Sequence, residues 1–266
     1  MKKFVLKRVL ISIVLLFFVT MIIYGIMRCM PTSFVENKAR ELAQKPGSKT
    51  YQEWKEQLDE AYGLDSGVVQ GYCHWASQAV RGQFGDSWYW NKPVLDKFAE
   101  VIWYSFALGL ASFILEIIIA IPAGIAAARR QYSALDYTIT VIALIGISLP
   151  SFFFATILKW VFSIKLGWVD LYGIVGRMHD QMSPIGQILD MAQHMILPTI
   201  TLSIVSIGSL MRYTRTNMLE VLNADFIRTA RAKGLSENRV INHHAFRNTL
   251  IPIITLLGGS LPGLFS

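Results

Sequence analysis

No group of side chains in this sequence has the spacing of a catalytic or nucleotide-binding centre. There is no G-x-x-x-x-G-K-S/T phosphate loop, no H-E-x-x-H zinc pair and no G-x-S-x-G nucleophile turn. His243 and His244 are adjacent, so a helix cannot aim both at one metal ion, and they read as interfacial or loop residues. Cys29 and Cys73 lack metal-ligand spacing and are too few for a disulfide scaffold. Only geometry decides whether those two thiols pair. The ionisable residues inside apolar runs are Glu116 and Lys159. A charge in the bilayer core costs about 2.5–3.5 kcal/mol, so Glu116 should face a helix bundle or a wet cavity. It reads either as part of a translocation path or as a glutamate hydrogen-bonded to a neighbouring helix, or protonated in place.

The segment 212–248 is richer in pattern. Asn223 or Asp225 can cap a short helix whose apolar side includes Phe226, Ile227 and Ala230. Gly234 supplies a stop, because it takes the left-handed conformation without a Cβ clash. Ser236 can cap a second helix, with Glu237 in its first turn near the positive end of the macrodipole. Small residues at Ala230, Ala232 and Gly234 would let another protein's surface come close. Arg228, Arg231, Lys233, Arg239 and Arg247 keep the segment out of lipid. These residues alone leave open an ordinary basic loop lying on a membrane.

The elements that carry these residues follow from composition. The chain has 266 residues, of which 53% are hydrophobic and only 16% charged, with a formal charge of +7. A soluble domain is about 25% charged, so this composition describes a polytopic membrane protein and excludes a disordered chain. Crossing the hydrocarbon core takes about 20 mostly apolar residues. The candidate spans are Val9–Met27, Val101–Ala128, Tyr137–Leu158, Met195–Met211 and Thr249–Ser266. The fifth stops within a span rich in glycine and proline. The first has basic residues before it, like a signal peptide. It is too long for that and lacks a small-residue cleavage site, so it reads as a retained helix.

Charge gives the orientation. Lys2, Lys3, Lys7 and Arg8 precede the first span, and 212–248 holds seven basic against three acidic residues. The alternate segments are acidic on balance: 31–100 holds eight basic and ten acidic residues, and 163–194 holds two and three. Basic residues collect on the cytoplasmic side, which places the N-terminus inside and 31–100 outside. Within that outer segment Gln52–Tyr62 reads as an amphipathic helix capped by Gly63, and Tyr72, Trp75 and Ala79 as a second one before Gly82. Phe84, Trp88, Tyr89 and Trp90 read as an aromatic belt at headgroup level rather than a ligand-stacking surface.

The run Met211-Arg212-Tyr213-Thr214-Arg215-Thr216-Asn217-Met218, continuing to Asp225-Phe226-Ile227-Arg228-Thr229-Ala230-Arg231-Ala232-Lys233-Gly234-Leu235, resembles the membrane subunits of bacterial ABC importers of the dipeptide/oligopeptide and nickel family. His244-Ala245-Phe246-Arg247-Asn248 keeps the register. Further matches are Tyr62-Gly63-Leu64-Asp65, Phe84-Gly85-Asp86-Ser87, Gly146-Ile147-Ser148-Leu149-Pro150 and Leu197-Pro198. The long outer segment is similar to that of the first of the two paired permease subunits. There are departures: Arg228-Thr229-Ala230 lacks the acidic residue of the general EAA loop, and Pro31-Thr32-Ser33 stands where Pro-Gly-Asp is expected.

The resemblance implies an all-α polytopic bundle of the type I importer fold in the bacterial inner membrane. It would comprise an N-terminal helix (1–30), an outer segment (31–100) and a core from 101 to 266. Six spans are expected, of which this sequence would hold five, with the fifth truncated. The implied function is a permease subunit for di- or oligopeptides, without catalysis, metal or nucleic-acid partner. Nickel chelates, glutathione or another small solute are alternatives on the same chassis; a channel or membrane-embedded enzyme is a distant one. The implied partners are a second permease, an outer peptide-binding protein and two ATPase subunits that carry ATP and Mg²⁺. The coupling residues would be Asp225, Phe226, Arg228, Thr229, Ala230, Arg231, Ala232, Lys233, Gly234 and Leu235. Glu116, Ser148 and Pro150 are candidates for the translocation path.

Overall fold

Inside a bilayer every backbone polar group needs a partner within the protein, so long apolar runs become helices. The computed structural model describes residues 2–29, 34–44, 49–61, 67–87, 89–90 and 92–265. It divides into two compact units, Met1–Phe98 and Ala99–Ser266.

In the first unit, α1 (Lys2–Arg28) contains the first expected span, followed by α2 (Phe34–Ala43), α3 (Tyr51–Ala61) and α4 (Val68–Val80). A short hairpin pairs β1 (Asp86–Ser87) with β2 (Lys92–Pro93). The amphipathic segments expected near Gln52–Tyr62 and around Tyr72 are α3 and α4; α2 was not anticipated. Thr50 and Glu53 form a reciprocal capping box on α3: the Thr50 N–H donates to Glu53 at 2.8 Å and the Glu53 N–H to the Thr50 hydroxyl at 3.4 Å. The Thr50 N–H, together with the Thr50 hydroxyl that also donates to the carboxyl at 2.8 Å, holds Glu53 below its ordinary pKa. Tyr72 on α4 is buried, and its hydroxyl donates to the Phe17 carbonyl at 3.1 Å, midway along the apolar run of α1. Cys29 and Cys73 are exposed free thiols. Tyr89 and Trp90 pack edge to face and are exposed. Gly63, Trp88 and the motifs at 31–33 and 62–65 lie outside the described residues.

The helix α5 (Val94–Arg129) carries the second span. It is followed in the second unit by α6 (Ala134–Ser148), α7 (Ser151–Leu158) with a π-helical turn over Lys159–Lys165, and α8 (Pro184–Leu222). Then come α9 (Asp225–Ala232) and a continuous helical run, Glu237–Phe265. Among the described residues four helices are long and apolar enough to cross a membrane, and the bent pair Ala134–Ser148 with Ser151–Lys165, taken as one span, makes a fifth.

One span expectation is corrected, and another, open to extension past Arg212, is lengthened. Tyr137–Leu158 is not one straight helix but breaks at Leu149-Pro150 with a bend of 102°. Pro150 has no N–H to donate and pushes Leu149 into extended geometry, at φ −75° and ψ 128°. The short run Met195–Met211 is the middle of a 39-residue helix. At 1.5 Å per residue α8 is about 58 Å long, so its polar ends project beyond the hydrocarbon. Ser183 caps it and Pro184 occupies its first turn, where a missing N–H costs nothing.

The helices come close through small residues. A Cβ on Gly124 of α5 would lie 2.7 Å from the Met211 carbonyl oxygen of α8, and one on Gly208 would lie 2.7 Å from the Ala143 carbonyl oxygen of α6. Ala120, Ala143, Leu210, Met211 and Ile253 fill the core between these helices. At the outer end Asp190 fastens the 166–183 loop to α8, accepting from the Gly176 N–H at 2.9 Å and meeting His179 Nδ1 at 2.6 Å.

Candidate functional site

The residues 212–248 comprise the end of α8, the short helix α9 and the start of the last helical run, which pack together as a cap on the bundle. The α8 helix stops at Leu222; the Asn223 side-chain amide donates to the Leu219 carbonyl at 2.9 Å, so it satisfies the end of α8 rather than the start of α9. Ala224, in extended geometry, occupies the N-cap of α9, and no side chain caps that helix. The capping expected from Asn223 or Asp225 is therefore not realised. Asp225 in the first turn and Arg231 in the last still complement the helix macrodipole.

The other end of α9 follows the sequence closely. Gly234 adopts φ +75°. The Leu235 N–H donates to the Ala230 carbonyl at 3.4 Å and the Gly234 N–H to the Arg231 carbonyl at 2.9 Å, which together make a Schellman closure. Leu235 packs back on the same cluster that holds α9. Arg231 grips Glu237 with Nε at 2.7 Å, tying α9 to the start of the last helical run. Ser236 makes no side-chain cap there, contrary to expectation; its carbonyl accepts from Arg239 and Val240 instead.

Burial sorts the α9 residues into two faces. Ile227 and Ala230 pack with Ala128 of α5, Met218 of α8, and Val240, Ile241 and Ala245 of the last run. Asp225, Phe226, Arg228, Thr229, Arg231, Ala232, Lys233 and Gly234 are exposed. Two expectations change with this. Ala230, 6% exposed, seats the helix on its own bundle rather than lying on its open face. Phe226 is not on the buried side but 47% exposed, an aromatic ring presented outward. The π-helical turn Val240–Ala245 widens the backbone opposite α9, and such turns gather at functional sites. His243 and His244 lie on this turn with rings 5.2 Å apart, in a helix rather than a loop.

An ion pair between α8 and α6 braces the cap. Arg215 of α8 donates to Asp136 of α6 through Nε at 2.6 Å and Nη2 at 2.7 Å. Asp136 is 2% exposed and also accepts from the Tyr132 N–H at 2.9 Å. Tyr132 sits at φ +63°, a left-handed position that a non-glycine residue holds only when fixed by its surroundings. A bidentate guanidinium–carboxylate pair is among the stronger charge-assisted contacts. Arg215 belongs to the quoted motif, yet its partner is 79 residues away and could not be read from spacing.

The path candidates are less gathered. Glu116 is half-buried on α5, and no hydrogen bond or ion pair to it is found among the described residues. Of the readings open for Glu116, a bond to a neighbouring helix is the one not found among the described residues. Ser148 and Pro150 flank the α6–α7 break and are exposed. Sequence reasoning missed a second feature, a cavity of about 430 Å³ on the outer side between α5, α7 and α8. Lys159, Asp170, Tyr172 and His194 line it; Lys159 Nζ lies 4.5 Å from the Tyr172 ring centre, and the nearly buried His194 has Nε2 3.2 Å from Asp170.

The chain is a multi-pass α-helical bundle in which one face of a short helix, α9, is packed on the bundle and the other, basic and aromatic, is exposed. Residues 120–266 match the model of the family described as binding-protein-dependent transport system inner membrane component, and the chain belongs to that family. It is 38% identical to the oligopeptide transport system permease protein AppB of Bacillus subtilis over 98% of this chain and 79% of that one. It is 34% identical to the oligopeptide transport system permease protein OppB of Escherichia coli K12 over 100% and 80%. A putative peptide permease protein of Brucella suis is also 34% identical, over 98% and 79%. The chain is a multi-pass permease subunit of the cell membrane.

Proposed function

We propose that this permease subunit passes di- or oligopeptides, delivered by an external binding protein, and is driven by ATPase subunits that dock on α9. The observation that carries the reading is the division of α9 into a face locked on its own bundle and a face of exposed Phe226, Arg228, Thr229, Ala232 and Lys233. Force applied to that outward face reaches α5, α8 and the last helical run through Ile227 and Ala230. A docked nucleotide-dependent motion can therefore bias the whole bundle between two states. The peptide cargo rests on the names of the similar permeases. The chain supplies no catalytic chemistry in this reading. ATP and Mg²⁺ belong to two ATPase subunits, and a second permease completes the pathway.

Glu116, Ser148 and Pro150 are the proposed path residues. Non-helical backbone at membrane depth is tolerated where it is buried in protein or lines a wet cavity, which fits the exposed break at Leu149-Pro150. The test is the assembled transporter in proteoliposomes, with Gly234→Trp compared with wild type. Peptide uptake should fall at least tenfold while ATP hydrolysis and membrane insertion persist. Normal peptide-stimulated uptake by that variant would defeat the coupling assignment.

A further inference from the structure

A groove of about 870 Å³ runs along the cytoplasmic half of α5. Its walls are Ile117, Ile118, Ile121 and Ile125 of α5 together with Leu135 and Ile241, and its inner end carries Arg129 and Arg130. From Ile117 to Arg130 the helix rises about 20 Å, a little more than one leaflet's share of the ~30 Å hydrocarbon core. The groove is thus apolar over the depth of an acyl chain and doubly cationic where α5 ends. Both arginine side chains are exposed, and no hydrogen bond, ion pair or ring contact of theirs is found among the described residues. The Asp136 carboxylate, six residues beyond Arg130 in sequence, is occupied by Arg215 and the Tyr132 N–H. Charge at this end of α5 faces the cytoplasm, the side on which basic residues of this chain collect.

We propose that this groove is a binding site for an anionic phospholipid of the cytoplasmic leaflet. Its acyl chain lies along Ile117, Ile118, Ile121 and Ile125, and its phosphate is held by Arg129 and Arg130. Basic pockets between spanning helices on the cytoplasmic side suit such headgroups, and guanidinium groups match phosphate oxygens in geometry. The same lipid would brace the seat of α9, because Ile125 and Ile241 belong both to the groove and to the cluster around Ile227. The site does not depend on what the transporter carries.

The experiment is native mass spectrometry of the assembled transporter after exchange into mixed phosphatidylglycerol and phosphatidylcholine. Wild type should retain phosphatidylglycerol selectively. Since each arginine near the surface contributes about fivefold, the Arg129→Gln, Arg130→Gln pair should lose about 30-fold of that preference. Ile121→Trp, which fills the groove and leaves the charges, should also displace the lipid. Unchanged retention by the double variant would overturn the proposal. So would equal competition by soluble glycerophosphate, which would mean a phosphate site without an acyl groove. Cross-linking of Ile118→Cys to a second permease subunit would overturn it too, by showing that protein covers the groove.

Discussion

Replacing Asp136 by alanine should destabilise the cytoplasmic half of the bundle by about 3–5 kcal/mol, the range for breaking one side of a buried ion pair. The carboxylate is almost fully enclosed and holds three close donors, Arg215 Nε, Arg215 Nη2 and the Tyr132 N–H. Its removal leaves the guanidinium uncompensated and frees the strained turn at Tyr132. Arg215→Ala should cost less, because its side chain is 24% exposed and the stranded carboxylate keeps the Tyr132 bond. The double variant should recover part of the loss, with a coupling of about 1–3 kcal/mol, within the range for residues in direct contact. Thermal unfolding of the purified protein in nanodiscs reads this as a shift of roughly 10 °C for Asp136→Ala. The Asp225–Arg228 pair on α9 is the control: its side chains are 97% and 75% exposed, and Asp225→Asn should be nearly silent. A shift below about 2 °C for Asp136→Ala, or a coupling below about 0.5 kcal/mol, would refute the clamp.

Other outcomes follow from single contacts. Gly124→Ala places a methyl group 2.7 Å from the Met211 carbonyl oxygen and the Thr214 side chain, so α5 must move off α8; unfolding should show a loss of about 1–3 kcal/mol. Gly234→Ala meets no atom within 4 Å and carries only the left-handed backbone penalty of about 1–2 kcal/mol, whereas Gly234→Asn should cost less in the same assay. The lowered Glu53 pKa gives α3 a stabilisation present above the ordinary carboxylate range and lost as pH falls through the native value. Limited proteolysis across 51–61 should accelerate at low pH in wild type. Glu53→Gln should be faster than wild type at pH 7 and less responsive to acid.

The helical architecture was legible because apolar length and basic-residue asymmetry act along the chain, without tertiary knowledge. The helix ending at Gly234 was legible for a similar reason: a left-handed stop is a local requirement that one residue type meets. Other features were settled by long-range packing. Phe226 and Ile227 are neighbours with equal apolar character, and only the positions of Met218 and Val240 decide that Ile227 turns inward. Ala230 could have served a partner or its own bundle on composition alone. Leu149-Pro150 carried a readable signal, since proline disfavours helix in the residue before it, yet the apolar run across it suggested an unbroken span. The Asp136–Arg215 clamp had no signal in spacing, because its two helices meet only after folding.

In the proposed function α9 presents Phe226 and Arg228 to an ATPase while Ile227 and Ala230 hold it to the bundle. Disulfide cross-linking of the assembled transporter, in a Cys29→Ser, Cys73→Ser background with single cysteines introduced across the surface of the ATPase subunits, tests it most directly. Phe226→Cys and Arg228→Cys should form intersubunit cross-links whose yield changes with ATP, and Ala230→Cys should form none. Cross-linking through Ala230→Cys, with Phe226→Cys and Arg228→Cys silent, would contradict the account.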